Sequence, residues 1–318
     1  MSEYVHTPVL LNDTLDFLGP RGKNELMVDS STGEGGHSYA FLSRFPDLKM
    51  ICIDADNTVL DIAQKRLEEF NGRVHYYHGW TNDFFTEYPS EYKRPDTILM
   101  DLGISSFHYK KSGKGFSFEN DEYLDMRLDD SLQMTAADLI ARLPEHELAD
   151  LLYNNAEERY SRRIASLIVN ERQKAAITTA KALADLVKRA VPAQYRHGPI
   201  HPATRTFQAL RIAVNGELSQ LQVRLEAALR VLTPEGRLGV ISFHSLEDRI
   251  VKNFFRSMNK ACTCPENAPI CKCVGHRSIN LLTKKGVTPA KDEIERNPPS
   301  RSARLRVVEK VLDGDDND

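Results

Sequence analysis

Short apolar runs alternate with helix-patterned stretches in the amino-terminal third of the chain. Between these runs, for example over residues 59–70, apolar positions recur at helical spacing. Because neighbouring parallel strands need a long crossover connection that is usually a helix, this alternation predicts a parallel sheet covered by helices. The runs that have the length and composition of buried strands are 26–29, 50–54, 74–77 and 97–101.

The pattern becomes helical after residue 101 and remains so to about residue 191. Thr135 and Thr179 each stand directly before an apolar-periodic segment, where a threonine side chain can cap the first helical N–H groups. Pro144 suits the start of a further helix. The predicted helices are 136–143, the segment opened by Pro144, 158–173 and 180–190.

The sheet pattern returns in the last third of the chain. Residues 207–232 predict one long amphipathic helix, which ends at a Thr-Pro-Glu-Gly turn. Residues 237–243 predict an apolar strand, and residues 304–311 predict a final strand of alternating character. Residues 313–318 are too polar to fold.

These elements predict an α/β chain with a Rossmann-like sheet and an inserted all-helical subdomain. The sheet domain is discontinuous and comprises residues 1–110 and 201–312, and the insertion comprises residues 111–200. We expect residues 313–318 to be an acidic, disordered tail. A chain of 318 residues is long enough for two domains that each bury a core.

Composition narrows the possible environment and partners. The hydrophobic content of 41% and the charged content of 27% are typical of a globular protein. No apolar run approaches the roughly 20 residues of a membrane span, and the amino terminus has no signal-peptide pattern, so we expect a cytoplasmic protein. A net charge of -3 argues against indiscriminate coating of nucleic acid and requires any such contact to use a local basic face.

The segment after the first predicted strand carries the main functional signal. It contains Gly33, Gly35 and Gly36 close behind Asp29, and glycines of this kind let backbone approach a ligand closely. A dinucleotide fingerprint would require a third glycine where Ser38 stands. Carboxylates beside pyrophosphate are unfavourable, whereas a sulfonium nucleoside tolerates them. The turn therefore favours S-adenosyl-L-methionine over a dinucleotide, with a solvated turn as the alternative interpretation.

Three residues at or after the predicted strand ends extend this candidate site. Asp54 is placed to bind ribose hydroxyls; the alternative role is that of a helix cap, and Asp56 competes for the ribose. Trp80, the only tryptophan, can stack on adenine or face a sulfonium, and its alternative role is packing. Asp101 ends the fourth strand, where an acceptor can meet both cofactor and substrate.

Basic residues in three polar segments are candidates for contacts with RNA. One segment begins at His201, the second follows the strand 237–243, and the third contains a Pro-Pro pair near residue 298. For any one segment, a solvated charged face is the commoner explanation. The candidate residues are Arg205, Arg211, Arg249 and Arg301.

A cysteine cluster raises the question of a metal. Its thiols are separated by one-residue gaps, which are tighter than the spacing typical of structural zinc sites, and we assign no metal. The alternative is a surface loop with free thiols. Cys52 lies within a predicted strand and is interpreted as a core residue. The clustered thiols are Cys262, Cys264, Cys271 and Cys273.

Long motifs make the chain resemble the RsmH family, also called MraW. The resemblance covers nearly the whole chain and includes Asp101-Leu-Gly-Ile-Ser-Ser, His201-Pro-Ala-Thr-Arg-Thr-Phe-Gln and Ser242-Phe-His-Ser-Leu-Glu-Asp-Arg. It implies a class I methyltransferase fold and methylation of cytidine N4 at the P site of 16S ribosomal RNA in the small subunit. It also implies an inserted domain that helps to recognise RNA. The implied cofactor contacts are Gly35, Gly36, His37, Asp54, Trp80, Asp101 and His108.

The chain departs from the family pattern at three places. Trp80 stands where phenylalanine is usual, which keeps an aromatic face. Phe107-His108 replaces a common Pro-Gln pair, and Glu34 stands where a basic residue is frequent. The alternative interpretation of His108 is a solvent-exposed side chain in the loop after the fourth strand.

The implied reaction requires an acceptor close to the transferred methyl group. Cytosine N4 donates its lone pair into the ring, and it becomes nucleophilic only when an acceptor withdraws its protons. We expect direct in-line transfer without a cysteine adduct, with Asp101 as the leading acceptor, and the target base must be unpaired or swung out. The alternatives are a nicotinamide dehydrogenase, a methyltransferase for small molecules or proteins, and a non-catalytic assembly factor.

Overall fold

The computed structural model describes residues 7–198, 200–260 and 277–311. The chain forms two compact units, the first from residues 1–104 and 220–318 and the second from residues 105–219. The expected return to the sheet domain at residue 201 differs from this division. Residues 201–219 belong to the second unit because their helix packs against other helices of that unit.

The first unit contains a seven-stranded sheet with the order β3-β2-β1-β4-β5-β7-β6. Strands β1 to β5 pair in parallel, and β7 is antiparallel to both β5 and β6. The strands are β1 (Leu26–Asp29), β2 (Lys49–Asp54), β3 (Val74–His78), β4 (Thr97–Asp101), β5 (Arg237–Ser242), β6 (Ile279–Leu281) and β7 (Arg304–Lys310). Six of these strands lie where the apolar pattern predicts them, and β6 was not predicted.

Helices cover both faces of this sheet. They are α1 (Leu11–Leu18), α2 (Gly36–Arg44), α3 (Asn57–Arg66), α4 (Thr81–Thr86), α12 (Leu221–Val231), α13 (Ser245–Met258) and α14 (Lys291–Arg296), and short 3-10 helices cover Glu68–Phe70 and Pro298–Ser302. Alternate residues of β1 point to opposite faces. Val28 packs in the cluster that includes α12 and α13, and Met27 packs in the cluster that includes α1 and α2.

The second unit is helical in its regular structure. Its helices are α5 (Ser106–Lys110), α6 (Ala136–Arg142), α7 (Glu145–Ala156), α8 (Ser161–Arg172), α9 (Ala180–Ala190), α10 (Ala193–Arg196) and α11 (Thr204–Asn215). Thr135 caps α6 in a capping box with Asp138, and the Thr179 side chain accepts the N–H of Ala182 at the start of α9. Both predicted caps are therefore confirmed.

The prediction of one long helix over residues 207–232 is wrong. The segment forms α11, which ends at Asn215, and α12, which begins at Leu221. Gly216 takes a left-handed conformation with φ 61° and donates its N–H to the carbonyl of Ile212. This glycine cap ends α11, because a helix cannot continue through a left-handed residue. Apolar periodicity continues across the break because both helices bury one face.

No helix in the described ranges is both long and apolar enough to span a bilayer.

Candidate active site

The turn after β1 is held by backbone hydrogen bonds from both neighbouring strands. The N–H of Ser30 donates to the carbonyl of Leu99 in β4, and the N–H of Thr32 donates to that of Ile53 in β2, each over 2.9 Å. The turn therefore lies at the carboxyl edge of the sheet, between its two flanking strands. In open parallel sheets this edge is where ligands bind.

Gly35 and Gly36 form the close approach at the start of α2. Gly35 is left-handed, with φ 75° and ψ 24°, and it caps the helix. A Cβ atom at Gly36 would lie 2.6 Å from Cγ of Pro8, so a side chain does not fit there. The two positions require glycine for different reasons, and together they leave backbone rather than side chains at the helix start.

Asp29 is a buried carboxyl group at the end of β1. Its Oδ2 accepts a hydrogen bond of 2.6 Å from the Ser38 hydroxyl, whereas its Oδ1 has no well-formed hydrogen bond among the described residues. Burial raises the pKa of Asp29 to about 6, and the hydrogen bond from Ser38 opposes this rise. The backbone N–H of Ser31 also acts on this carboxyl group and lowers its pKa. A buried acceptor of this kind, whose Oδ1 has no well-formed partner, suits a cationic ligand group, which would restore the carboxylate.

Asp54 is oriented by two backbone donors. Its Oδ2 accepts the N–H of Gly33 over 2.8 Å, and its Oδ1 accepts the N–H of Asp56 over 3.0 Å. The helix-capping role belongs instead to Asp56, whose carboxylate accepts the N–H of Thr58 at the start of α3. Asp54 is therefore fixed against the glycine turn at the carboxyl end of β2.

Asp101 ends β4 with little exposure to solvent. Its N–H donates to the Ser31 hydroxyl over 2.8 Å, and its Oδ1 accepts the N–H of Gly103 over 3.1 Å. Burial raises the pKa of Asp101 to about 7, and the nearby carboxylates of Asp29 and Glu247 raise it further. A carboxyl group with a pKa near neutrality is suited to proton transfer at physiological pH.

His37 lies beside Asp101 in a fixed orientation. Its Nε2 is 3.0 Å from the carbonyl oxygen of Val9, and its Nδ1 is 3.7 Å from Oδ2 of Asp101. A carbonyl oxygen can only accept, so Nε2 carries a proton in this contact and Nδ1 faces the carboxyl group. The first unit therefore places an imidazole nitrogen next to the strand-end carboxyl group.

Trp80 follows β3 and is half-buried directly before α4. The residue before it, Gly79, donates its N–H to the carbonyl of Asp54, and the residue after it, Thr81, donates its hydroxyl to the carbonyl of Ser30. These two hydrogen bonds hold Trp80 between the ends of β1 and β2. The fold thus brings together Asp29, the glycine turn, His37, Asp54, Trp80 and Asp101 at one edge of the sheet.

His108 lies in the second unit and is buried rather than exposed, which excludes the expected alternative of a solvent-exposed ring. Its ring packs against those of Phe107 and Phe116, with centroid distances of 5.8 and 5.3 Å. Burial against two rings gives this residue a packing role within the helical unit.

Glu247 is a buried acidic residue near Asp101 that sequence reasoning did not single out. It forms a capping box with His244 at the start of α13, and its Oε2 also accepts the N–H of Phe243 over 2.8 Å. Its charge contributes to the raised pKa of Asp101. His244 and Glu247 have the three-residue spacing of a capping box. This spacing was the signal in the sequence that could have identified Glu247.

The four arginine candidates occupy different environments. In the second unit, Arg205 donates to the carbonyl of Glu157 over 2.7 Å, and Arg211 forms two hydrogen bonds of 2.9 and 2.7 Å with the Glu217 carboxylate. In the first unit, Arg249 on α13 and Arg301 before β7 are exposed. Arg211 is therefore already engaged by a carboxylate.

The cysteines divide between described and undescribed parts of the chain. Cys262, Cys264, Cys271 and Cys273 lie outside the described residues, and the described residues contain no cluster of three potential metal ligands. Cys52 is buried in β2, where burial raises the pKa of its thiol to about 12. A thiol that stays protonated is a core residue and not a nucleophile.

The fold and this edge of the sheet define a class I methyltransferase, in which the antiparallel β7 extends an otherwise parallel sheet. The model of the MraW methylase family matches residues 3–311, and the chain belongs to that family. The sequence resemblance and the predicted fold class are thereby confirmed. As a methylase with this fold, the chain uses S-adenosyl-L-methionine, and the unsatisfied carboxyl oxygen of Asp29 fits that cationic molecule.

Similar proteins share one name. A protein of Treponema denticola is 57% identical over 96% of this chain and 98% of its own length. A protein of Treponema pallidum is 42% identical over 96% of this chain and 92% of its own length. A protein of Carboxydothermus hydrogenoformans is 44% identical over 97% of this chain and 99% of its own length. Each is named ribosomal RNA small subunit methyltransferase H.

Proposed function

We propose that this chain transfers a methyl group from S-adenosylmethionine to N4 of the P-site cytidine in the decoding centre of 16S ribosomal RNA, within the small ribosomal subunit. The observation that carries the proposal is the 57% identity, over nearly the full length of both chains, to a protein named ribosomal RNA small subunit methyltransferase H. The choice of cytidine N4 rests on the motif resemblance and on the acceptor at the end of β4.

The proposed cofactor site uses the edge of the sheet described above. The backbone of Gly35, Gly36 and His37 approaches the cofactor, Asp54 binds its ribose hydroxyls, and Trp80 provides an aromatic face. The carboxyl group of Asp101 contributes from β4. A contact from His108 is proposed only because the family resemblance implies it. When bound, S-adenosylmethionine supplies an electrophilic methyl group.

Asp101 is the proposed acceptor for the amino proton of cytosine. When N4 accepts the methyl group, one N4 proton would leave to the Asp101 carboxylate. A carboxyl pKa near neutrality suits this transfer. His37 holds its Nδ1 next to the carboxyl group that receives the proton.

The proposed RNA contacts are basic side chains in each unit. The helical unit, residues 105–219, helps to recognise RNA, as the family resemblance implies. The target base must be unpaired or swung out before Asp101 can accept its proton. Cations position the strand through its phosphates, and the shape of the ribosomal particle provides most of the specificity. The proposed contacts are Arg205, Arg211, Arg249 and Arg301.

A methyl-transfer assay with labelled cofactor tests the proposal. Small subunits that lack the modification, naked 16S RNA and fully modified subunits are compared, and mass spectrometry of the product nucleosides identifies the methylated atom. We expect label on N4 of one cytidine in undermodified subunits and none in modified subunits. Label on protein or on a different atom, or no label at all, would contradict the proposal.

A second arm tests the role of Asp101. At saturating S-adenosylmethionine, the Asp101→Ala variant should still bind RNA but lose at least a hundredfold in single-turnover rate, because the amino proton has no acceptor. If this variant binds both partners normally and keeps full turnover, then Asp101 is not the acceptor.

A further inference from the structure

Four exposed cations cluster where β7 begins. Arg304 is the first residue of β7, Arg301 precedes it in a 3-10 helix, and Lys284 and Lys285 lie in the loop after β6. A Cβ atom at Gly286 would be 3.4 Å from Cβ of Arg304, so this loop lies against the start of β7. We call Lys284, Lys285, Arg301 and Arg304 the β7 basic patch. No carboxylate in the described ranges forms an ion pair with any of them.

The loop that carries the two lysines is anchored on both sides. On one side, the Thr283 hydroxyl accepts the N–H of Val307 over 2.9 Å. On the other side, Val287 and Leu305 exchange backbone hydrogen bonds of 2.9 and 3.0 Å. Because both ends are fixed to β7, the loop holds its lysines in place, which reduces the conformational entropy lost on binding.

Arg306, also on β7, has a structural role and differs from Arg304 in burial and in its contacts. It is buried, and its guanidinium donates to both carboxylate oxygens of Asp248 over 2.7 and 3.1 Å. Arg304 lies two residues earlier on the same face of β7, since side chains alternate along a strand. The paired Arg306 supports α13, whereas Arg304 is exposed and keeps its charge for an external anion.

Strand register places the β7 basic patch beside the proposed acceptor. Asp101 of β4 pairs with Ile241 of β5, and the next residue of β5, Ser242, pairs with Arg304 of β7. Asp101 and Arg304 are therefore two strand spacings apart, about 10 Å along the hydrogen-bonding direction. Both lie at the edge of the sheet where the parallel strands end.

We propose that the β7 basic patch binds backbone phosphates of the RNA strand next to the methylated nucleotide. This inference rests on the proposed function. A single-stranded segment fits because the target base must leave any helix, and the short distance to Asp101 places its nearest phosphates over these cations. The proposed ligand is a run of phosphodiester groups, which the β7 basic patch binds through their charge and not through contacts to base edges.

The test compares two triple alanine variants of the full chain. One variant removes Lys284, Lys285 and Arg304, and the control removes Lys23, Lys49 and Lys65, which are also exposed but lie towards the opposite edge of the sheet. Binding of a labelled 12-nucleotide single-stranded RNA is measured over a series of salt concentrations. Calorimetry with S-adenosylmethionine and thermal melting establish that both variants are folded.

We expect the patch variant to bind RNA at least tenfold more weakly than the unmodified chain. The slope of log affinity against log salt should become less steep by about 2, since each of the three lost phosphate contacts on a single strand contributes about 0.7. Its KM for undermodified small subunits should rise, with little change in the single-turnover rate at saturating subunits. The control should match the unmodified chain in all of these measurements.

An unchanged RNA affinity and salt slope in a folded patch variant would overturn the inference. A loss of subunit binding without a loss of RNA binding would also overturn it, because that result would indicate a protein partner. In either case, methylation by the unmodified chain would leave the proposed function intact. Failure of the unmodified chain to methylate small subunits is the separate result that would refute the proposed function.

Discussion

The Ser38 hydroxyl donates a 2.6 Å hydrogen bond to one oxygen of the buried Asp29 carboxyl group. Ser38 occupies the place where a dinucleotide fingerprint has its third glycine. A glycine there could not hold the carboxyl group, so the serine that departs from the dinucleotide fingerprint also orients Asp29. The other oxygen, Oδ1, remains for a ligand, and the ammonium group of S-adenosylmethionine is the group that we expect it to meet.

Ser38→Ala should weaken S-adenosylmethionine binding about tenfold, or about 1.4 kcal/mol, because Asp29 loses the donor that fixes its orientation. Methylthioadenosine lacks the amino-acid portion of the cofactor, so its affinity should change little. Titration calorimetry with both compounds measures the difference. Ser43→Ala is the control, since Ser43 lies in the same helix and donates only to the carbonyl of Tyr39. Equal losses for the two compounds would place the effect of Ser38 elsewhere.

Binding of S-adenosylmethionine should release protons near pH 6.5. Asp101, with a pKa raised to about 7 mainly by burial, is largely protonated at that pH in the free protein. A nearby sulfonium stabilises the carboxylate and lowers this pKa, so a proton leaves on binding. Calorimetry in buffers with different ionisation enthalpies counts the released protons.

Asp101→Asn should release fewer protons than the unmodified chain under the same conditions, and S-adenosylhomocysteine, which has no sulfonium charge, should release fewer than S-adenosylmethionine. The release should also fade at pH 8.5, where the carboxyl group is already ionised. A proton count that is the same for the variant would show that Asp101 does not sense the cofactor charge.

Asp29→Asn should stabilise the cofactor-free protein at alkaline pH. The pKa of Asp29 is raised from 3.8 to about 6, first by burial, so the folded state binds this proton more tightly than the unfolded state. The stability that comes from the protonated group is present at low pH and is lost as the pH rises through the folded pKa. The asparagine has no charge to bury.

The free energy of unfolding of Asp29→Asn relative to the unmodified chain should therefore increase by about 2 kcal/mol between pH 4.5 and pH 8. Urea denaturation at both pH values measures this difference. A constant difference would mean that Asp29 has the same pKa in the folded and unfolded states.

Gly35→Ala should destabilise the protein and weaken cofactor binding at least tenfold. A left-handed alanine costs about 1 kcal/mol, and its Cβ would also lie 3.3 Å from Cβ of Ala63. Gly72 is the matched control, because its φ is +87° and no atom of the described residues lies within 4 Å of the added Cβ. Gly72→Ala should lose similar stability and keep its cofactor affinity. Thermal melting and calorimetry separate the two effects, and equal cofactor affinity for both variants would contradict a role for Gly35 in binding.

The prediction from sequence succeeded where structure is local. Strands 26–29 and 97–101 match β1 and β4 at both ends, because a run of apolar residues with polar ends is itself the requirement of a buried strand. Thr135 and Thr179 were identifiable as caps because the capping hydrogen bond spans only three residues.

The errors arose where residues far apart decide the outcome. The break at Gly216 depends on a left-handed glycine within a continuous apolar pattern, and three-residue β6 exists because β7 provides a partner for it. The contribution of Glu247 to the site similarly depends on the packing that brings α13 beside the end of β4.

The sequence by itself determined the class of the protein. The glycine turn, the strand-end carboxylates and the motifs of the family lie in contiguous segments, and local chemistry suffices to identify them. Only the tertiary structure decided that Ser38 holds Asp29, that His37 faces Asp101, and that Arg304 lies two strands from Asp101. These relationships, and the raised pKa values of the two carboxyl groups, follow from burial and strand register, which exist only once distant segments have packed together.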